Sequence, residues 1–287
     1  MTILYLTFGE SIEYHVQAYL SMLSFKKQAT KDDRIVMVTT VPQYYRRARP
    51  WAEVVPLDNK TVEEWKGSSH YSFRVKTMAL CSQAERHTDD HILFVDTDTV
   101  LCGSLESIRR TLDQGNALMY NDEGQPSRMK GPSLRMWHTL RGKTVAGVTL
   151  DGTHHMWNSG IIGIPRSLVG VIPQHTLQLL DAMLGAGVKC FNVEQYAMSV
   201  AMSEHASLKS ADTQVAHYWG NKDQWEKHAY AVIARAYMEQ LSVEEEIERL
   251  DIAQLKNIPI FVHKSNTGRR LKNLIGKLFA DKNQKYI

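Results

Sequence analysis

Two carboxylates stand one residue apart at the end of an apolar run. The segment His91-Ile92-Leu93-Phe94-Val95 has the composition of a buried strand, and Asp96-Thr97-Asp98 follows it directly. Carboxylates at i and i+2 on an extended backbone point to one side, so both can face one cation. Without a cation the two charges would repel, and one carboxylate would be driven to protonate. The pattern predicts a site for a hard divalent ion such as Mg2+ or Mn2+. A solvated turn after a strand is the alternative.

Later segments carry polar side chains that suit the same chemistry. Asn158-Ser159-Gly160 precedes a strand, where it is either a tight turn or a turn brought close to a ligand. Glu194-Gln195 opens a helix, either as helix-dipole partners or as groups that hold sugar hydroxyls. His217 is the candidate third metal ligand, with His263 as its rival. Lys222 would supply positive charge to a phosphate.

Arg74 and Lys76 lie at the start of the helix that precedes the Asp96 strand. Cations at a helix N-terminus suit a phosphate group, because the backbone N–H groups there also favour anions. A solvated basic face is the alternative.

Strands and helices alternate along the chain. Apolar strand-like runs cover residues 2–8, 34–40, 54–57 and 91–95, with helical periodicity over 13–27 and 73–87. This order predicts an α/β fold with a mostly parallel, Rossmann-like sheet and flanking helices, whose ligand crevice lies at the carboxyl ends of the strands. The stretch 121–152 is rich in Gly, Pro and basic residues, which indicates a long acceptor-binding or lid loop.

The composition is that of an ordinary soluble globular protein, with 43% hydrophobic and 23% charged residues among 287. The apolar residues 1–8 lack a basic leader and a cleavage site, so we expect a first strand and no signal peptide. No apolar run approaches the ~18 residues of a membrane span. Three cysteines far apart suggest neither a disulfide framework nor a zinc site, and a reducing cytoplasm is expected.

The net charge of +3 hides an uneven distribution. Residues 264–287 carry seven Lys or Arg against one Asp, which is +6, so the rest of the chain carries −3. A mildly acidic body does not favour nucleic-acid binding. In the tail, Leu271, Leu274, Ile275, Leu278 and Phe279 follow helical spacing among cations. This predicts a basic amphipathic C-terminal helix that attaches peripherally to an anionic membrane through 269–285, or that packs on the domain.

The ordered set of motifs resembles the nucleotide-sugar glycosyltransferases of the GT-A fold. It is most similar to family 8, the group of glycogenin and the bacterial lipooligosaccharide galactosyltransferases. The resemblance covers roughly residues 1–222 and rests on Asp96-Thr97-Asp98, Asn158-Ser159-Gly160, Glu194-Gln195 and His217-x-x-Gly220 with Lys222. It implies a hexosyltransferase domain over 1–265, with a nucleotide-binding half (1–120) and an acceptor and sugar half (121–265). Residues 266–287 form the tail.

The resemblance also implies roles for individual residues. Asp96, Thr97 and Asp98 would hold Mn2+ or Mg2+ and the donor diphosphate, with His217 as the third protein ligand. Asn158, Glu194 and Gln195 would surround the donor sugar, with Gln195 beside the anomeric carbon. The nucleotide contacts would come from Thr7, Phe8, Arg74 and Lys76, and Lys222 would bind the leaving diphosphate. The implied reaction uses a UDP-sugar, retains the anomeric configuration and has a saccharide or lipid-linked acceptor.

Three departures from the family pattern bear on these roles. Glu194 stands where the family usually has Asp, Lys222 follows His217 by five residues where the family has six, and the interval from Gln195 to His217 is short. Two rival functions remain at the level of sequence. One is a phosphatase of the haloacid dehalogenase type using Asp96 and Asp98, although that motif normally follows the first strand. The other is a non-catalytic sugar-binding protein with a relic site. The sugar, the nucleotide, the acceptor and the oligomeric state are not encoded in any motif.

Overall fold

A computed structural model describes residues 1–263 together with Leu271 and Leu274. The strands within it are β1 (Thr2–Thr7), β2 (Arg34–Thr39), β3 (Glu53–Pro56), β4 (Ile92–Val95), β5 (Thr99–Leu101), β6 (Ala117–Met119), β7 (Asp122–Gly124), β8 (Thr144–Val145), β9 (Val148–Thr149), β10 (Met156–Trp157), β11 (Ile161–Ile164), β12 (Leu208–Ser210) and β13 (Val215–His217). The helices are α1 (Ile12–Lys26), α2 (Asn59–Trp65), α3 (Arg74–Arg86), α4 (Leu105–Asp113), α5 (Gly131–Leu140), α6 (Ile172–Gly185), α7 (Val193–His205), α8 (Lys222–Met238), α9 (Val243–Arg249) and α10 (Ile252–Leu255).

Seven strands form the central sheet in the order β12-β6-β11-β4-β1-β2-β3. Strands β3, β2, β1 and β4 are mutually parallel, and β12 is parallel to β6, whereas β11 runs antiparallel to both of its neighbours. Helices cover both faces, as the near-continuous apolar strands require, since such strands are buried on both sides. The predicted α/β class with a mostly parallel central sheet is confirmed.

The topology brings distant segments to one edge of this sheet. Parallel β1, β2 and β4 all end at the same edge, and antiparallel β11 begins there, with Ile161 opposite Val95. The turn at 158–160, which precedes β11, must therefore lie beside the loop at 96–98, which follows β4. Short β13 pairs with β5 and brings His217 opposite Thr99 at the same place.

The stretch 121–152 is not the long loop that its composition suggests. It contains β7, helix α5 and the β8–β9 pair. Pro132 occupies the first turn of α5, where its missing N–H costs nothing. The buried side chains of Met136, Trp137 and Leu140 pack on α6 and α7 in a separate apolar cluster. Gly131 and Pro132, which contributed to the loop prediction, instead begin a short helix with one buried face.

Two helices and a short bridge make up much of the C-terminal third of the described chain. Helix α8 ends at Met238, Gln240 adopts left-handed backbone (φ 52°), and α9 starts with a capping box between Ser242 and Glu245. Residues 259–263 form no regular strand, and one bridge joins Phe261 to Gly220. The predicted helical tail lies outside the described residues, apart from Leu271 and Leu274.

Candidate active site

The Asp96–Asp98 loop is fixed by three hydrogen bonds from different elements. The Asp96 backbone N–H donates to the Gly160 carbonyl (2.9 Å) and continues the β4–β11 ladder. The Thr99 hydroxyl donates to the Asp96 carbonyl (2.8 Å), and the Tyr218 N–H donates to the Asp98 carbonyl (3.0 Å). The loop is therefore a rigid platform from which the two carboxylates project. Thr97 lies between them and is half-buried.

A series of hydrogen-bonded buried hydroxyls connects this loop to the protein core. The Thr99 Oγ1 lies 2.9 Å from the Ser21 Oγ, which lies 3.0 Å from the Tyr5 Oη. Because Thr99 gives its proton to the Asp96 carbonyl, Ser21 must donate to Thr99, and Tyr5 must donate to Ser21. Each buried hydroxyl thus has a partner, and the series ties the loop to α1 and β1.

Asp98 is the more buried of the two carboxylates. Its Oδ1 lies 3.3 Å from the His217 Nε2, and its Oδ2 lies 2.8 Å from the Lys222 Nζ. Burial by itself would raise the pKa of Asp98, but His217 and Lys222 outweigh it and hold that pKa well below its usual range. Asp98 is therefore ionised at neutral pH and competent to bind a cation.

His217 is held in place by packing against a glycine. The imidazole lies so close to Gly160 that a Cβ added there would come within 2.3 Å of the ring Cε1 and Nδ1 atoms. The Tyr120 ring meets the imidazole edge to face at 5.0 Å. The Nδ1 is buried and has no hydrogen-bond partner. The ring is thus fixed by its neighbours while one of its nitrogens is free of any competing hydrogen bond.

Asp96, Asp98 and His217 form a group that fits a divalent metal ion. One ligand atom from each lies within 4.8 Å of the others. Ligands around an octahedral ion with bonds of ~2.1 Å are separated by about 3.0–4.2 Å, so small side-chain adjustments would suffice. Two carboxylates and one imidazole suit Mn2+ or Mg2+. Among the described residues this is the one group of three potential ligands, and the exposed His263 is not part of it.

We call Asp96, Asp98 and His217 the metal group. Lys76 is buried directly beside it. Its Nζ donates to the Asp96 Oδ1 (2.9 Å) and to the Ser159 carbonyl (2.5 Å). Burial lowers the pKa of Lys76, but the carboxylates of Asp96 and Glu194 outweigh that effect, so the pKa is raised and the amine stays charged. Arg74, by contrast, uses its guanidinium to join α3 to α6. It donates to both Asp181 oxygens (2.7 and 2.9 Å) and to the Trp65 carbonyl.

Glu194 is buried in the first turn of α7. Its Oε2 accepts a hydrogen bond from the Ser159 hydroxyl (3.2 Å), and its Oε1 is buried without a partner. Burial raises the pKa of Glu194, and the charge of Lys76 only partly offsets this effect. An unpartnered buried carboxyl oxygen is costly, because the lost solvation is not replaced. A ligand hydroxyl would satisfy it.

Glu123 is a functional candidate that the sequence did not reveal. Its exposed carboxylate accepts a hydrogen bond from the Asn158 Nδ2 (3.0 Å) and from the Gln195 Nε2 (2.9 Å). The Asn158 Oδ1 accepts a hydrogen bond from the Gly160 N–H (3.0 Å), and the Gln195 Oε1 accepts one from the Ser159 N–H (3.4 Å). Glu123 thereby orients both amides. It was missed because it lies in 121–152, where no periodicity indicated that β7 pairs with β10.

Thr7 and Phe8 lie at the end of β1, on the same sheet edge. The buried Thr7 hydroxyl donates to the Thr39 Oγ1 (2.8 Å) and lies 3.3 Å from the Tyr45 Oη. The Tyr45 hydroxyl also contacts the His15 Nδ1 (3.0 Å). The Thr7 hydroxyl is therefore used in hydrogen bonds within the protein, at the carboxyl ends of β1 and β2. Phe8 is half-buried and partly exposed to solvent. Their nucleotide contact stays a prediction.

No family model and no curated protein matches the sequence. Solved structures that are similar to the chain include WbbM and LgtC. The bifunctional glycosyltransferase WbbM, in its apo form, is 14% identical over 74% of this chain and 39% of its own, with a TM-score of 0.47. The galactosyltransferase LgtC, in complex with donor and acceptor sugar analogues, is 12% identical over 74% of both chains, with a TM-score of 0.48.

Both neighbours are glycosyltransferases. This chain spans about two-fifths of the length of WbbM. Likenesses at this level assign neither a family nor an activity to the chain, so its function has to come from its own side chains.

Proposed function

We propose that this protein is a metal-dependent glycosyltransferase of the GT-A type that moves a sugar from a nucleotide-sugar donor to a saccharide or lipid-linked acceptor. The observation that carries the proposal is the Asp96–Asp98–His217 group at the carboxyl edge of the sheet. Lys222 contacts this group directly, and Lys76 adds a second cation. Two carboxylates, an imidazole and two amines suit a metal-bound diphosphate.

The adjoining polar groups suit a sugar. Ser159 links the two parts of the site, because its carbonyl binds Lys76 while its hydroxyl binds Glu194. Glu194, Asn158 and Gln195 then offer one carboxylate and two oriented amides to sugar hydroxyls. A bound Mn2+ or Mg2+ would neutralise the charge that grows on the leaving diphosphate. Lys222, which is half-buried and whose pKa is raised by Asp98 despite its burial, would stay protonated and support the same charge.

The finer terms of the proposal rest on the motif resemblance. They are a UDP-sugar donor, Mn2+ as the ion, retention at the anomeric carbon and a role in polysaccharide or lipooligosaccharide synthesis. We further propose a cytoplasmic protein attached peripherally to the inner face of the membrane through 269–285. No helix in the described part of the chain is long and apolar enough to cross a bilayer. The division into halves at residue 120 stays a prediction.

The test is metal-dependent hydrolysis of a panel of nucleotide sugars. We expect wild-type protein to release nucleoside diphosphate from at least one donor with Mn2+, and the double variant Asp96→Asn, Asp98→Asn to release none. Asp32→Asn, which removes an exposed carboxylate at the opposite edge of the sheet, is the matched control and should behave as wild type. A wild-type protein inert toward every donor, with and without metal, would overturn the proposal. Rapid turnover of a generic phosphate ester would instead favour the phosphatase.

A further inference from the structure

Glu123 differs from the two carboxylates of the metal group in having no cationic partner. Its contacts with the site are two neutral amides, because its Oε1 accepts from Asn158 (3.0 Å) and its Oε2 accepts from Gln195 (2.9 Å). Within residues 1–263 the exposed Glu123 side chain makes no ion pair. Neutral donors satisfy hydrogen bonds but do not cancel a charge. Glu123 therefore presents an uncompensated negative charge beside both amides.

The cations of the site are already committed to other groups. The buried Lys76 amine donates to the Asp96 carboxylate (2.9 Å) and to the Ser159 carbonyl (2.5 Å). The Lys222 Nζ lies 2.8 Å from the Asp98 Oδ2. Under the proposed function, a bound metal ion would be neutralised by the donor diphosphate. None of these charges is left to pair with a carboxylate on the sugar.

The polar groups that remain for a sugar mainly accept hydrogen bonds. The Glu194 Oε1 is buried without a partner, and the oxygens of Glu123 have further acceptor capacity. Asn158 and Gln195 each give one amide N–H to Glu123, and their oxygens accept from backbone N–H groups. Each amide thus keeps one N–H for a ligand. Sugar hydroxyls suit this set, because a hydroxyl both donates and accepts.

We propose that Glu123 is a specificity-determining residue that makes the protein select neutral hexoses over uronic acids in the donor. The inference rests on the proposed function and extends it to the class of sugar. A hexose carries a hydroxyl at C6, which can donate to a carboxylate, whereas a uronic acid carries a carboxylate there, which can only accept. A like charge placed beside the ligand is a recognised means of rejecting it.

Paired donors test the proposal, because each uronic acid differs from its hexose only at C6. The pairs are UDP-glucose with UDP-glucuronate and UDP-galactose with UDP-galacturonate, titrated calorimetrically into the full chain with Mn2+. We expect the hexose that binds more tightly to exceed its own uronate at least about tenfold in affinity, a factor that corresponds to ~1.4 kcal/mol. Added salt should reduce this preference, because the charge of the exposed Glu123 is screened.

Glu123→Gln separates the charge from the positioning of the amides. The variant removes the charge and keeps the size of the side chain, so the preference should narrow at least about threefold. Loss of amide orientation alone would weaken both members of a pair alike and leave their ratio unchanged. Asp32→Asn is the matched control, since it removes one exposed carboxylate at the opposite edge of the sheet, and it should keep the wild-type ratio.

The outcomes for Glu123 and for the proposed function are distinguishable. A uronate that binds as tightly as its hexose would overturn the proposal, and so would an unchanged ratio in Glu123→Gln. Both results leave the proposed function standing, which donor hydrolysis tests separately. Failure of UDP itself to bind in the presence of Mn2+ would instead count against the proposed function, and the inference would fall with it.

Discussion

Replacing Gly160 by alanine should displace His217 and thereby weaken metal binding. The new Cβ would lie 2.3 Å from the imidazole Cε1 and Nδ1 atoms and 2.9 Å from Nε2. Ordinary contacts between such atoms are ~3.5 Å or more, so the ring would have to move by about 1 Å. Tyr120 and the β5–β13 pairing restrict that movement. Overpacking of this kind costs about 1–3 kcal/mol of folding stability.

The effect on the metal should be larger than the effect on the fold. Metal–ligand distances tolerate deviations of only ~0.2 Å, so a ring moved by about 1 Å no longer completes the site. We expect Mn2+ affinity, measured by electron paramagnetic resonance at a temperature where the protein is folded, to fall at least about tenfold. Gly185→Ala is the matched control. An added Cβ there meets nothing within 4 Å at the end of α6, and alanine should stabilise the helix by up to ~1 kcal/mol.

A double-variant cycle decides whether Gly160 acts through His217. His217→Ala removes the ring with which the new Cβ would collide, so Gly160→Ala should have no further effect on Mn2+ affinity in that background. If Gly160→Ala binds Mn2+ as tightly as wild type, or if its effect is unchanged without the imidazole, then the argument that His217 is a positioned third ligand is refuted.

Three further predictions concern the surroundings of the site and the fold. Glu123→Ala should lower the rate of donor turnover about tenfold to a hundredfold, because both amides lose their orientation, while the melting temperature changes little; an unchanged rate would exclude the positioning role. Ser21→Ala leaves the buried Tyr5 hydroxyl without a partner and removes the hydrogen bond that Thr99 accepts, so urea titration should show a loss of about 1–3 kcal/mol. The Asp33 side chain is fully buried against Arg109 (2.7 Å), which together with Thr30 lowers the pKa of that carboxyl although burial opposes it. Its contribution to stability is therefore present above the unfolded pKa of ~3.9 and is lost as the pH falls. Asp33→Asn should flatten this acid dependence of the melting temperature, and an unaltered pH profile would contradict the assignment.

Local features of the sequence sufficed to predict the fold class and to single out Asp96 and Asp98 as candidate metal ligands. The apolar run 92–95 indicates a strand buried on both faces, and carboxylates two residues apart on an extended backbone share a side by geometry alone. The alternation of strand and helix periodicities fixed a mostly parallel sheet. These are short-range properties, so they need no knowledge of which segments are neighbours in space.

The candidate third ligand and the carboxylate that contacts both amides became evident only from the tertiary structure. The sequence favours His217 and leaves His263 as its rival, and the β5–β13 pairing places His217 against Asp98 while His263 lies exposed. Glu123 reaches Asn158 and Gln195 because β7 pairs with β10, a contact between segments more than thirty residues apart that leaves no periodic signal. Long-range pairing depends on how all the elements pack together, and no single stretch of residues encodes it.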